Sequence, residues 1–122
     1  MWVENVTDHT YVLYTAVSRE LELQRELEII NEILRGRDDC YVIMSLADIE
    51  KLTSSTISRL LKLHDLLSGH GRMLVLCKVS LPVKGIFSKE DLGSPLNYAA
   101  DIFAAKEMVQ KTARSESRHA VH

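Results

Sequence analysis

The chain has 122 residues, 46% of them apolar, and carries 15 basic against 17 acidic side chains for a net charge of −2. That length and apolar share describe one globular domain with a core of its own, and the interspersed signs, without any basic stripe, argue against a nucleic-acid partner. No apolar run approaches the roughly 20 residues that span a bilayer, and MWVENVTDHT lacks the basic-then-apolar order of a signal peptide, so a cytoplasmic chain with no direct membrane insertion is expected.

Taken in order, Trp2 to Val6 and Tyr11 to Val17 are β-prone segments on either side of Thr7-Asp8-His9-Thr10, which predicts a hairpin. From Arg19 to Arg35 the period changes: Leu23, Leu27, Ile30 and Leu34 recur at helical spacing among Glu and Arg, and Gly36 stops the pattern. This stripe lasts little more than two heptads, too short for a coiled coil, so it predicts an amphipathic helix packed on a sheet. After Arg37-Asp38-Asp39 the run Cys40 to Leu46 is apolar enough for a strand buried on both faces.

The next helix has the clearest start. Thr53 is a good N-cap, Leu52 and Ile57 are placed for a hydrophobic staple, and Ser54, Ser55 and Thr56 fill the first turn. Ile57, Leu60, Leu61 and Leu67, with Leu63 and Leu66 at the edges, give the buried stripe. Gly69 and Gly71 close the helix. A dinucleotide-binding turn has the opposite order, strand then glycines then helix, so these glycines read as a C-cap. Arg72 to Val79 predicts a second buried strand. Ser80-Leu81-Pro82 starts a short helix through Val83, Ile86 and Phe87, weakened by Gly85. Gly93-Ser94-Pro95 is a loop, Leu96 to Ala99 an edge strand, and Asp101 the cap of a last helix carrying Ile102, Ala105, Met108 and Val109. Residues 1–110 are thus assigned to the domain, and KTARSESRHAVH, residues 111–122, to a polar tail expected to fray.

Strands alternating with helices imply parallel crossovers. The expectation is an α/β domain with a mixed, mostly parallel sheet of about five strands covered by about four helices. The segment Ala47 to Ser55 then lies at the carboxyl edge, where such sheets carry their working loops.

Two cysteines, Cys40 and Cys77, fall inside apolar runs without a CxxC pair and read as buried free thiols of a reducing compartment. The five histidines show no metal-ligand spacing, so neither a metal nor another cofactor is expected. Catalysis has no support either: Ser54 has no evident base, His64 is more than two turns along the same helix, and Asp48 and Glu50 read as loop-capping or solvated groups. The first turn after Thr53 offers unpaired N–H groups and the positive end of a helix dipole, which tolerate added negative charge. Its serines are therefore candidate phosphate acceptors as well as helix-start residues, the role such hydroxyls most often play.

The segment from Tyr41 to Phe87, YVIMSLADIEKLTSSTISRLLKLHDLLSGHGRMLVLCKVSLPVKGIF, resembles the STAS domain, the module of anti-sigma factor antagonists and of the cytoplasmic tails of sulphate transporters. The shared pattern is an apolar strand, a short loop, an apolar residue followed by Asp-Ser-Ser/Thr-Gly, a long helix ending at glycine, and a second apolar strand leading into a Ser-Pro-like helix start. Weaker similarity extends from Val3 to about Val109. On this pattern Thr53 takes the Asp position, Ser54 the phosphoacceptor position, Ser55 the next hydroxyl and Thr56 the Gly position.

The resemblance implies a non-enzymatic module that docks on an anti-sigma factor with a serine-kinase fold and is switched by phosphorylation at Ser54, with Ser55 as second choice. The implied contact set is Asp48, Leu52, Thr53, Ser54, Ser55, Thr56 and Ser58. Two departures bear on it. Thr53 carries no charge, and Thr56 is expected to put a β-branched side chain where a partner backbone would approach. They favour an alternative, an unphosphorylated scaffold or transporter-accessory subunit whose partner is another STAS protein or a transporter. A homodimer is a further candidate assembly.

Overall fold

The computed structural model describes residues 2–7, 9–14, 20–36, 40–47, 49, 52–69, 71–89 and 96–120. Along them run β1 (Trp2–Thr7), β2 (Thr10–Tyr14), α1 (Glu20–Arg35), β3 (Tyr41–Ser45), α2 (Ser54–Gly69), β4 (Leu74–Cys77), α3 (Leu81–Lys89), β5 (Asn97–Ala99) and α4 (Ile102–Ala120). The strands form one sheet in the order β1-β2-β3-β4-β5. β1 pairs antiparallel with β2, Thr7 opposite Thr10 across the predicted turn, and every other pair is parallel. The fold is the expected α/β domain with a mixed, mostly parallel sheet.

Every residue of β3 and β4 is buried, as their unbroken apolar runs require. Alternate side chains feed two cores. On one face Val42, Met44, Leu74 and Leu76 pack with Leu23, Leu27, Ile30 and Leu34 of α1, Ile57, Leu60, Leu63 and Leu67 of α2, and Val83 of α3. On the other, Tyr41, Ile43, Val75 and Cys77 pack with Ala105 and Val109 of α4. Three helices thus cover one face and a single helix the other. At about 1.5–3 kcal/mol for each large side chain, the leucine stripes of α1 and α2 outweigh any polar contact described below.

The helix ends follow their local chemistry. After α2, Gly71 has φ 73°, its N–H donates to the Ser68 carbonyl at 3.1 Å, and the Arg72 N–H donates to the Leu67 carbonyl at 2.9 Å. That pair of bonds is a Schellman closure, and it needs the left-handed backbone that glycine adopts without strain. Asp101 caps α4, its Oδ1 accepting the Ala104 N–H at 2.8 Å. Here the structure departs from expectation: α4 continues past Lys111 to Ala120. Ala113 still packs on the core, the Thr112 hydroxyl donates to the Met108 carbonyl at 3.0 Å, and Lys, Arg, Glu and Ala after that point are good helix formers. α3 likewise runs through Gly85 to Lys89. Residues 15–17, the expected continuation of β2, lie outside the described residues.

Among the described residues no helix is long and apolar enough to cross a membrane, and no group of three or more His, Cys, Asp or Glu could hold a metal ion. Cys40 and Cys77 are both buried, and neither forms a disulfide. Burial pushes the Cys77 thiol up, the Asp101 carboxylate adds to the rise, and the Lys78 ammonium and Ser45 hydroxyl pull the other way.

Two outcomes are expected. Leu63→Ala, at a fully buried site, lowers stability by about 2–5 kcal/mol in urea unfolding, whereas Ile33→Ala, 60% exposed, changes it by about 0.5 kcal/mol or less. Because the folded Cys77 thiol ionises above its unfolded value of about 8.5, its contribution is intact below that pH and is lost as pH rises beyond it. Unfolding series at several alkaline pH values then fall less steeply for Cys77→Ala than for the parent chain.

Candidate functional site

At the carboxyl end of β3 the chain turns in a loop anchored by three apolar residues spaced three apart. Leu46, Ile49 and Leu52 are all buried in the core that α1 and α2 share. The Leu46 N–H donates to the Cys77 carbonyl at 3.0 Å, and the Ile49 N–H closes back on the Leu46 carbonyl at 3.1 Å. A second tie comes from the next crossover, where the Ser80 hydroxyl donates to the Ile49 carbonyl at 3.3 Å. Ser80 also starts α3, its carbonyl accepting the Lys84 N–H at 2.9 Å. Just before it, Lys78 turns the chain out of β4 in the left-handed region, at φ 55°.

The loop delivers Thr53 to the head of α2. Its carbonyl accepts the Ile57 N–H at 3.0 Å and its Oγ1 accepts the Thr56 N–H at 3.4 Å, so Thr53 is the N-cap that its position predicts. Leu52 and Ile57 are both buried beside it, as a staple requires.

Two residues of α1 complete the arrangement, and sequence reasoning missed both. Gln24 Nε2 donates to Thr56 Oγ1 at 3.2 Å and to Thr53 Oγ1 at 3.4 Å. One turn further along α1, Glu28 Oε1 accepts from Arg59 of α2, from Nη2 at 2.8 Å and Nε at 3.1 Å. Arg59 in turn donates through Nη1 to the Ser55 carbonyl at 3.1 Å and to the Ser55 hydroxyl. The usable signal was the spacing: Gln24 and Glu28 sit four apart beside the buried Leu23 and Leu27, and Arg59 sits four after Ser55.

The implied contact residues divide accordingly. Thr53, Ser54, Ser55 and Ser58 are exposed. Leu52 and Thr56 are not: Leu52 is 7% exposed and Thr56 is sealed at 0%. Thr56 therefore points between α1 and α2, and the β-branched side chain expected to face a partner is an internal packing group bonded to Gln24. Asp48 lies outside the described residues. The Ser54 side chain makes no hydrogen bond among the described residues, and the residue is exposed in the first turn. No acidic side chain occupies that turn. His64 lies ten residues along α2, about 15 Å away at 1.5 Å per residue, beyond reach of the Ser54 hydroxyl.

No family model and no curated protein sequence matches the chain. Solved structures do match in fold. An RsbS variant from Moorella thermoacetica superposes with TM-score 0.78 at 13% identity, over 92% of this chain and 96% of that one. An anti-sigma-factor antagonist (STAS) domain protein from Planctomyces limnophilus gives 0.72 at 16%, over 92% and 97%. A chain of the stressosome, described as a signal integration and transduction hub, gives 0.70 at 15%, over 92% and 98%. The fold of this chain is that of the STAS domains, as the resemblance over Tyr41 to Phe87 implies.

The geometry separates cap from surface. Thr53→Ala is expected to cost about 1 kcal/mol through loss of the cap, and Ser54→Ala to stay within about 0.5 kcal/mol, both read from denaturant midpoints.

Proposed function

We propose that this chain is a regulatory protein-binding module that docks through the exposed tip of α2 on an anti-sigma factor with a serine-kinase fold, and that phosphorylation of Ser54 switches the docking off. The observation that carries this reading is Ser54 itself: exposed, with no side-chain hydrogen bond among the described residues, and at the position where the STAS resemblance puts the phosphoacceptor. The fold shared with anti-sigma factor antagonist domains supports the class of partner.

The local build supports the switch. Cap, staple and loop anchors all lie on residues other than Ser54, so a phosphoryl group adds roughly −1.5 to −2 charge at the tip without removing any contact that folds it. The docked surface comprises Thr53, Ser54, Ser55 and Ser58, together with Asp48, while Leu52 and Thr56 hold the tip from inside. Charge introduced there opposes association by repulsion and by the cost of desolvating it. The role is read as binding because no base stands beside the serine among the described residues.

One observation favours a second reading. Thr53 is committed to the cap and to Gln24 and carries no charge, which suits a constitutive scaffold or transporter-accessory subunit whose partner is another STAS protein, a transporter or a second copy of the chain.

Incubation with ATP and the serine kinase that binds the chain, followed by mass spectrometry, is expected to place phosphate on Ser54. Ser54→Asp then weakens association at least about tenfold, a change of about 1.4 kcal/mol. A cognate kinase that leaves Ser54 unmodified, or a complex indifferent to both Ser54→Ala and Ser54→Asp, supports the scaffold instead.

A further inference from the structure

Ser54 and Ser55 are adjacent in sequence but differ in surroundings. Ser54 is open. Ser55 is held by the Arg59 guanidinium, whose Nη1 donates to its hydroxyl and to its carbonyl oxygen, while Nε and Nη2 of the same guanidinium hold Glu28 Oε1 across the helix pair. One cation thus serves two acceptors on two helices. The Arg59 side chain is 26% exposed against 60% for Glu28, so the cation is the more enclosed member of the pair and the carboxylate the more solvated one.

We propose that Arg59 is a phosphate-reading residue for Ser55: a phosphate on Ser55 keeps the guanidinium and releases Glu28, so that modification there loosens the strap between α1 and α2, whereas a phosphate on Ser54 leaves the strap in place. The idea rests on reading the start of α2 as a modified docking surface, and it gives the two neighbouring serines different outputs.

The competition has a clear direction. When a nucleoside triphosphate phosphorylates Ser55, a bond forms between Oγ and the γ-phosphorus. The bond from that phosphorus to its bridging oxygen breaks, the nucleoside diphosphate leaves with the electron pair, and the hydroxyl proton passes to the kinase's base. The product carries roughly −1.5 to −2 charge and three acceptor oxygens one helical turn from Arg59. Glu28 offers one charge from a different helix and a mostly solvated side chain. An arginine fork matched to phosphate oxygens forms the stronger, shorter contact. Glu28 then faces an anion where it faced only a hydroxyl and a cation.

The test uses the full chain with phosphoserine encoded directly at position 55 or at position 54, each alone and with Arg59→Gln, Arg59→Lys or Glu28→Gln. Phosphorus NMR follows the second ionisation of each phosphate. The phosphate at 55 is expected to titrate below the phosphate at 54 by roughly half a unit, less than the one to three units that an arginine gives a more buried carboxyl. Arg59→Gln abolishes the difference and Arg59→Lys keeps part of it. In urea unfolding, Glu28→Gln lowers the midpoint of the unmodified chain and of the chain phosphorylated at 54, but leaves unchanged or raises that of the chain phosphorylated at 55. Equal titration of the two phosphates, or a Glu28→Gln effect that is the same in all three chains, overturns the proposal. Because the phosphate is encoded, that result is separate from whether a kinase modifies Ser54, which is what decides the docking reading.

Discussion

Complete burial of β3 and β4 is the constraint from which the rest of the molecule follows. A strand with apolar side chains on both faces needs a layer on each, which accounts for α1, α2 and α3 on one side and α4 on the other. It also leaves no room for chemistry in the centre of the sheet. Polar function is displaced to the strand ends, and at the carboxyl edge α2, α3 and α4 all begin. The edge is stiff because its two central crossovers are tied to each other, through the Leu46 N–H to Cys77 and the Ser80 hydroxyl to Ile49.

On that platform α1 and α2 are joined in two ways with different consequences. Their leucines supply the energy. The polar row from Gln24 to Thr53 and Thr56, and from Glu28 to Arg59, supplies little: about 0.5–1.5 kcal/mol net for a neutral hydrogen bond and about 0–1 kcal/mol for an exposed ion pair. What the row does supply is rotation and register. A leucine stripe tolerates sliding of one helix along another. A glutamine that reaches two threonine hydroxyls, and a guanidinium that reaches a carboxylate, do not.

Much of this was legible in the sequence, and the misses have physical causes. Thr53, Gly71 and Asp101 could be assigned because capping is local, decided by one side chain and the three or four residues beside it. Thr56 was misplaced for the opposite reason. Its position lies on the buried stripe with Leu60, Leu63 and Leu67, at spacings of four, three and four, but a hydroxyl in a serine-rich turn reads as surface when chemistry is weighed before geometry. A spacing of three buries Leu46, Ile49 and Leu52 in what looks like a polar connection. The end of α4 was underestimated because apolar period was taken as the mark of a helix, and the polar sequence after Ala113 has none. Gln24, Glu28 and Arg59 belong to another class. Each is an ordinary helix-surface residue, and their meeting depends on how two helices rotate against each other, which no single segment encodes.

The identities of 13–16% beside TM-scores of 0.70–0.78 follow from the same division between pattern and residue. Packing asks only for apolar side chains of roughly the right size at the right period, so the fold survives replacement of most residues. At the tip of α2 the chain departs from the STAS pattern at two positions, and both are accommodated locally. Thr56 in the glycine position turns inward and finds Gln24, so the outer surface of the turn stays as open as a glycine would leave it. Thr53 in the aspartate position retains the cap and discards the charge. The unmodified tip consequently has no acidic side chain in the first turn of α2. In the proposed switch, a phosphate on Ser54 then adds about −2 to a first turn that carries no acidic side chain of its own. For a partner that reads charge, the proposed switch would then rest on the phosphate alone, whereas a partner indifferent to charge meets the same uncharged cap that suits the scaffold reading.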